Sequence, residues 1–390
     1  MPTKRIAKAV GKKVELIRRS LSTAEDLEAK RRNENLLKEY TFAIYIFGYQ
    51  SFAEQFVYSP LSISLGLALL HAGASGTVKE QILTAIFKGS THEELEKFFS
   101  DLAREISRSR NETVFLANHL FMRQKPYLEK IMLLHHAGLT QLPLSYDSHG
   151  SAICVNSQIG LKTRNHVDKI ITEGDLQRDT TLLLANALHF RAEFDFQFGF
   201  RSRLPFYSTT YSKRMVDFVG DVFVPRQFSE NKEFHVLVLP YTNKKFALHI
   251  FLPKKHIGLR AAMSNLCADT MLDLIRDTKE QYLKYRIPLF KIDCRLNQLQ
   301  GVLSAVGLSN VFEKSSEFAG ISQSKFLTTQ IVHKVRFEIG ENGTYSESLR
   351  SSLPKHGHRN LPEAFKFVAD HPFFYVVTMD LHPLYIGYYN

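Results

Sequence analysis

No run of eighteen apolar residues occurs anywhere in this 390-residue chain, so no segment is read as crossing a membrane. Cysteine is scarce. Cys154, Cys267 and Cys294 are too few and too scattered for a disulfide framework, and none stands in C-x-x-C or Cys/His ligand spacing. They are read as buried thiols of a reduced compartment. There is no G-x-S-x-G elbow, no phosphate loop and no H-E-x-x-H, which leaves little support for an enzyme; no cofactor and no metal are expected. Tryptophan is absent altogether. Beyond roughly residue 33 there is also no linker, repeat or low-complexity tract to divide the chain.

What the chain does have is basic charge. Lys and Arg number 50 against 39 Asp and Glu, giving +11. Much of the excess lies in "MPTKRIAKAVGKKVELIRRS", where Lys4, Arg5, Lys8, Lys12, Lys13, Arg18 and Arg19 face a single Glu15. Ile6, Val10, Val14, Ile17 and Leu21 recur every three or four residues, so residues 1–32 read as a basic amphipathic helical extension, although Gly11 weakens it. Three roles compete for it: a solvated helix leaning on the body, an address (mitochondrial or nuclear), or a surface for a polyanion such as a glycosaminoglycan, nucleic acid or acidic membrane. It has no seven-residue apolar core, so it is not a secretory signal. The expected setting is intracellular (cytoplasm, nucleus or mitochondrion), with an extracellular one as the alternative.

Residues 33–390 read as one domain. "ENLLKEYTFAIYIFGYQ" is a largely buried helix. "SPLSISLGLALLHAGASG" opens on Ser59 and Pro60, a good helix start, and stops at Gly73 and Gly76. Thr77 with Glu80, and Thr91 with Glu94, have the spacing of capping boxes for two further helices. Then strands take over. "ETVFLANHLFM" and "TTLLLANALHF" are apolar on both faces, as central strands are. "FHVLVLPY" and "FALHIFLP" flank "TNKK" as a hairpin. "FKFVADHPFFYVVTM" and "PLYIGYY" close the chain. Helices first and strands later give an α+β fold. Between the last strands lies "ENGTYSESLRSSLPKHGHRNLP", polar and long, of the kind that is often functional.

Four separated motifs, in order, give the chain a family resemblance. "YSPLSISLGLALLHAGASGTVKEQI" resembles the second helical segment of serpins, and "LLLANALHF" their Asn-Ala strand. "HKVRFEIGENGT" resembles the strand leading into the serpin reactive-centre loop. "FVADHPFFYVV" resembles the signature after that loop, and Gly387 stands where the family's final strand has a glycine. The match runs from about 34 to 390. It implies three β-sheets with eight or nine helices and an exposed reactive-centre loop at 343–362. It also implies the function of a serine protease inhibitor, monomeric and non-catalytic. The loop is cut by the protease as a suicide substrate and then inserts into the largest sheet, so that a metastable fold drives the trap. By the same resemblance, Ser59, Ser62, Asn186 and His333, with Phe194 nearby, form the cluster where the sheet opens. Glu341 and Gly343 begin the hinge, and Thr344 is the first residue to insert.

The departures bear on function. After Thr344 the family has small residues, mostly alanine; here stand Tyr345, Ser346, Glu347, Ser348, Leu349 and Arg350. An inserted strand alternates faces. With Thr344 inward, Ser346 and Ser348 fit, but Arg350 is driven into the core at a cost on the order of several kcal/mol. Pro354, on the same face, removes a ladder donor. This hinge implies weak inhibition or none, and the alternative is a non-inhibitory serpin that binds or chaperones an anionic partner. The family's Asn-Ala-Phe-Trp pattern is Asn186, Ala187, Phe190 and Phe194 here; phenylalanine fills space but brings no N–H. The bond to be cut falls near Gly357–His358. Lys355 and Arg359 in "KHGHR" suit a trypsin-like protease. His356 and His358, without a third ligand, are read as exposed histidines and not as a metal site.

Overall fold

The computed structural model describes residues 3–390 except 53, 109–113, 124–137, 142–146, 178, 210, 257, 314–315, 322–327 and 341–363; side chains are described from residue 26 onward, those of 138–141 excepted. The hinge residues Glu341, Gly343, Thr344, Ser346, Ser348 and Arg350, and the bond region Lys355–Arg359, therefore lie outside the described residues.

The elements run α1 (Thr3–Gly48), β1 (Phe56–Tyr58), α2 (Pro60–Gly73), α3 (Gly76–Phe87), α4 (His92–Arg108), β2 (Val114–Met122), β3 (Gly138–Gln141), α5 (Ser148–Lys162) and β4 (Leu182–Phe190). Then come β5 (Phe200–Tyr207), β6 (Lys213–Glu230), β7 (Phe234–Pro240), β8 (Phe246–Pro253), α6 (Leu259–Ser264), α7 (Ala268–Arg276), β9 (Lys279–Pro288), β10 (Phe290–Arg295) and α8 (Leu299–Leu303). The chain ends with β11 (Thr329–Ile339), β12 (Phe365–Val368), β13 (Phe373–Met379) and β14 (His382–Tyr389).

Local chemistry explains most of the starts. Ser59 caps α2, its Oγ accepting from the Ser62 N–H, and Pro60 sits at the first helical position, where no donor is needed. Thr91 and Glu94 close the expected box: Glu94 N–H donates to Thr91 Oγ1 at 3.2 Å and Thr91 N–H to Glu94 Oε2 at 3.1 Å. The box expected at Thr77 and Glu80 does not form. Helix α3 begins two residues earlier than that box requires, at a left-handed Gly76 after Ser75. Its free Val78 N–H donates instead to Glu317 Oε2 at 2.7 Å, and Glu80 turns to His92. A carboxylate from a distant segment replaces the local cap.

The helix read at 34–50 is the end of α1, which runs unbroken through residue 33. Residues 26–34 are exposed, and Leu36 is the first buried side chain among those described. Arg31 pairs with Glu94, Arg32 donates to the Asp380 carbonyl, and Arg276 donates to Asn33. One correction concerns the cysteines: all three are free, but Cys267 is exposed, and Cys154 and Cys294 are only partly buried.

The α+β fold is present, with one adjustment to the sheets. A five-stranded sheet has the order β10-β11-β4-β2-β3. The other two expected sheets are hydrogen-bonded into one nine-stranded sheet, β1-β14-β13-β8-β7-β6-β9-β12 with β5 on β6. They join because β6 is 18 residues long: its first half pairs with β5 and its last four residues with β7. A bulge between Val222 and Val224, with Phe223 at φ 57°, bends it at the junction. The β7–β8 hairpin closes through "TNKK" as expected, Phe246 N–H donating to the Asn243 carbonyl. Gly387 lies directly under the Tyr375 ring; a Cβ there would stand 2.2 Å from Cζ. Only glycine leaves that space.

The five-stranded sheet is buried on both faces. Leu182, Leu184 and Leu188 of β4 point toward the main core with α2, while Leu183, Ala185 and Ala187 pack with Val155 and Ile159 of α5 and Ile170 of the connection that follows it. That explains the unbroken apolar run of β4.

Candidate functional site: a polar row beneath a parallel strand pair

The central pair of the five-stranded sheet, β4 and β11, is parallel, whereas β2–β4 and β10–β11 are antiparallel. A strand lying antiparallel between β4 and β11 would turn one parallel ladder into two antiparallel ones, which are the more stable per residue. Strand β11 ends at Ile339, just before residues 341–363. One strand of the seam thus runs, in sequence, directly into the segment that resembles a reactive-centre loop.

Beneath the seam runs a buried polar row. Asn118 of β2 and Asn186 of β4 are Cα partners, and so are Asn186 and His333 of β11. Ser59 and Ser62, at the start of α2, lie against them. His333 Nε2 accepts from the Ser59 N–H at 3.0 Å. Asn186 Nδ2 donates to the Ser62 carbonyl at 3.2 Å and to Asn118 Oδ1 at 2.6 Å. Ser62 Oγ donates to Asn118 Oδ1 at 3.2 Å, and Asn118 Nδ2 returns a bond to the Ser62 carbonyl at 3.3 Å. Ser59, Ser62, Asn186 and His333 are fully buried. Burial lowers the His333 pKa to about 3, so the ring is neutral and its bare Nε2 faces Ser59. The fit to α2 is tight: a Cβ on Gly66 would stand 2.4 Å from Asn186 Nδ2.

The other face of the seam is strapped. The connection from α5 to β4 crosses β11 and β10. Lys334 Nζ donates to the Asp168 carbonyl at 3.0 Å, and Gln330 Nε2 to the Asp175 carbonyl at 2.6 Å. Asp175 also meets Arg295 at 2.6 Å. Partial burial works against its charge, but the bonds from Arg295 and Thr172 outweigh it and hold its pKa at about 2. Thr180 Oγ1 donates to Gln330 Oε1, tying the start of β4 to β11.

Four of the five cluster residues read from sequence thus meet in one hydrogen-bonded group. Phe194 stands apart, beyond the end of β4, stacked on Tyr241 at 4.8 Å and packed against Phe196 and Phe198. An all-aromatic stack occupies the place where the resemblance leads one to expect tryptophan. Asn118 is the residue the sequence reading misses. Its signal is the repeated Leu-Ala-Asn of "FLANHLF" and "LLANALHF", which puts two asparagines side by side in neighbouring strands.

The fold and this seam define a class of protein, and comparison with known proteins names it. The family model described as Serpin (serine protease inhibitor) matches residues 38–389. The chain belongs to the serpin family. It is 24% identical over 355 residues to Iripin-1 of Ixodes ricinus, covering 86% of this chain and 89% of that protein. Among solved structures it resembles the thermophilic serpin tengpin in its native state, with TM-score 0.81 and 20% identity over 90% of this chain and 93% of that one. It also resembles thyroxine-binding globulin in complex with thyroxine, with TM-score 0.79 and 19% identity over 92% and 98%.

Proposed function

We propose that this protein offers residues 343–362 to a trypsin-like serine protease as a suicide substrate, and that it traps the protease weakly. After cleavage near Gly357–His358, the hinge-side part of the loop enters between β4 and β11. The observation that carries this reading is the seam itself: a parallel central pair, held closed by a buried polar row on one face and a strap on the other, next to the end of β11. The chain is the object of proteolysis and performs no catalysis of its own.

Trapping is a race between insertion and deacylation, and the hinge slows insertion. The core-facing side of β4 and β11 presents Leu184, Leu188, Ile331, Val335 and Phe337 around the neutral polar row. An inward Arg350 finds no carboxylate among those residues, and an unpaired charge is costly there. Incubation with trypsin and a denaturing gel tests the proposal. The expected result is cleavage within 350–360, a minor band at the summed mass, and a cleaved product that melts well above the intact protein. Cleavage with no rise in melting temperature would remove insertion from the account.

A second reading rests on the same hinge. With Arg350 and Pro354 on the core-facing side, the protein acts as a non-inhibitory serpin, and the basic helix of residues 1–32 takes an anionic partner. Thyroxine-binding globulin, in complex with thyroxine, is an example of a serpin-fold binding protein. Salt-sensitive retention on heparin that is lost when residues 1–25 are removed supports this reading. Equal retention of the shortened chain ends the assignment to the helix.

A further inference from the structure

A second cluster lies outside the seam, around the connection between β12 and β13. His256 follows β8, and Asp370 and His371 join β12 to β13. The ligand atoms of His256, Asp370 and His371 all lie within 4.8 Å of one another. His371 Nδ1 is 2.9 Å from Asp370 Oδ1, and His256 Nε2 is 3.6 Å from the same oxygen. The two imidazoles stack, with ring centroids 4.4 Å apart.

We propose that His256 Nε2, Asp370 Oδ1 and His371 Nδ1 form a binding site for a divalent transition metal of the zinc type. In a tetrahedral site with bonds of about 2.0–2.1 Å, neighbouring ligand atoms stand about 3.3 Å apart. The two nitrogen–oxygen separations, 2.9 and 3.6 Å, bracket that edge. Two imidazoles and one carboxylate are the donors zinc takes, whereas calcium and magnesium prefer sites made of oxygen alone.

The surroundings aim the ligands. His371 is buried, and its Nε2–H donates to the Pro253 carbonyl at 3.0 Å. With its Nε2–H committed to that carbonyl, Nδ1 is the ring nitrogen turned to the carboxylate, and it can ligate once a metal replaces the proton between them, the outer-shell arrangement that metal-bound histidines use. The backbone of Asp370 is anchored as well, its carbonyl accepting from Tyr207 N–H at 2.7 Å, and Ala369 N–H donates to the Arg286 carbonyl at 2.9 Å. His256 is the exposed partner: its side chain is 49% exposed, and Tyr207 packs edge-on against its ring at 5.3 Å. A small turn of an exposed ring completes the triangle, and water supplies the fourth position.

The site would fasten the end of β8 to the segment following β12, a four-residue strand held by one parallel ladder to β9. Because β12 follows the proposed bait segment in sequence, the metal would steady the first described strand after it. Binding displaces any protons the rings share with the carboxylate, so affinity falls in acid.

The test uses the full chain, chelator-treated, with zinc chloride as the probe. Calorimetry should show one zinc ion bound at this site, and the melting transition should rise with zinc and not with calcium. His256→Gln should weaken that binding at least tenfold while leaving the zinc-free melting temperature unchanged, since the ring is exposed. Asp370→Asn should weaken it too. His356→Gln/His358→Gln should bind as the parent does. Absence of zinc binding by the parent, equal binding by His256→Gln, or loss of binding only in the loop double variant would each overturn the proposal.

Discussion

Asn186 and His333 face each other across the parallel β4–β11 pair, and each is tied to the start of α2 by only one side of its polar group. His333 Nε2 is occupied by the Ser59 N–H and Asn186 Nδ2 by the Ser62 carbonyl and Asn118 Oδ1. His333 Nδ1 and Asn186 Oδ1 are buried and find no hydrogen-bond partner among the described residues. Each of these two side chains is therefore hydrogen-bonded through one polar atom and unpaired at the other. A buried polar atom without a partner costs about 1–3 kcal/mol. Under the proposed function, a further strand entering between β4 and β11 would be the source of new partners for these two atoms.

Removing Asn118 tests how much of the closed state the row supports. Asn118→Ala leaves the Ser62 hydroxyl and one Asn186 donor facing no acceptor, and it opens a small void. The expected loss is about 2–3 kcal/mol in denaturant unfolding. Double-mutant cycles with Ser62→Ala should give less than additive losses, because both changes break one network. Strictly additive losses would mean that the two residues act separately.

Acid should loosen the same row. The His333 pKa is lowered by burial to about 3, against about 6.5 in an unfolded chain. The unfolded chain takes up a proton below pH 6.5 that the folded ring refuses, so stability is lost as pH falls from 6.5 toward 3. Between pH 6.5 and 5 that amounts to about 2 kcal/mol from this group. His382 has the opposite sign. Burial presses its pKa down, but the Glu39 carboxylate outweighs burial and raises it, so its contribution is present in acid and lost as pH rises. Its bond to Glu39 links α1 to β14, away from the seam. His333→Gln keeps an acceptor for Ser59 and does not titrate. Its denaturation midpoint should therefore fall less than that of the parent between pH 7 and 5; parallel curves would rule His333 out as the source.

The α2–sheet contact predicts a steric effect. Gly66 is in a helix, where alanine is ordinarily favoured by up to about 1 kcal/mol. Here its Cβ would meet Asn186 Nδ2 at 2.4 Å and Leu184 Cδ2 at 2.9 Å. Neither atom can retreat without breaking the row or the core. Gly66→Ala should destabilise by about 1–3 kcal/mol, read as a lower thermal midpoint. A stabilised variant would show that α2 moves freely off the sheet.

The sequence carries much of this, and unevenly. Ser59 and Pro60 announce α2 because capping is local chemistry, and the apolar runs of β2 and β4 announce a sheet covered on both faces. What is hidden depends on partners far along the chain. Glu317 caps α3 from 239 residues away, which no i-to-i+3 spacing can reveal. The fusion of two sheets rests on the length of β6, whose mixed polar and apolar residues give no clean alternation. Asn118 is hidden by its setting, a lone polar residue in an apolar strand, until β4 is laid beside it. The acid-linked groups are legible only after folding, since burial sets the His333 pKa and burial together with the distant Glu39 sets that of His382.

Arg350 and Pro354 give the most decisive experiment on function. If insertion is what limits trapping, making the core-facing positions of the loop small and able to donate to the ladder should help, while the bait itself stays unchanged. In the double variant Arg350→Ala/Pro354→Ala, alanine follows Thr344, Ser346 and Ser348 on the core-facing side, and the ladder donor missing at Pro354 is restored. The cost of burying an unpaired guanidinium, on the order of several kcal/mol, no longer opposes insertion. Even about 1.4 kcal/mol of that cost, felt at the rate-limiting step, changes the partition tenfold. The expected outcome is a rise of at least tenfold in the fraction of protein found as a boiling-resistant complex with trypsin, with the cleavage site unmoved. The single variant Pro354→Ala, which keeps Arg350, should form less complex than the double variant. If the double variant is still cleaved without complex, the obstacle is not charge burial in the hinge. The closed β4–β11 seam, its polar row and its Asp168–Lys334 and Asp175–Gln330 straps would then be what holds insertion too slow.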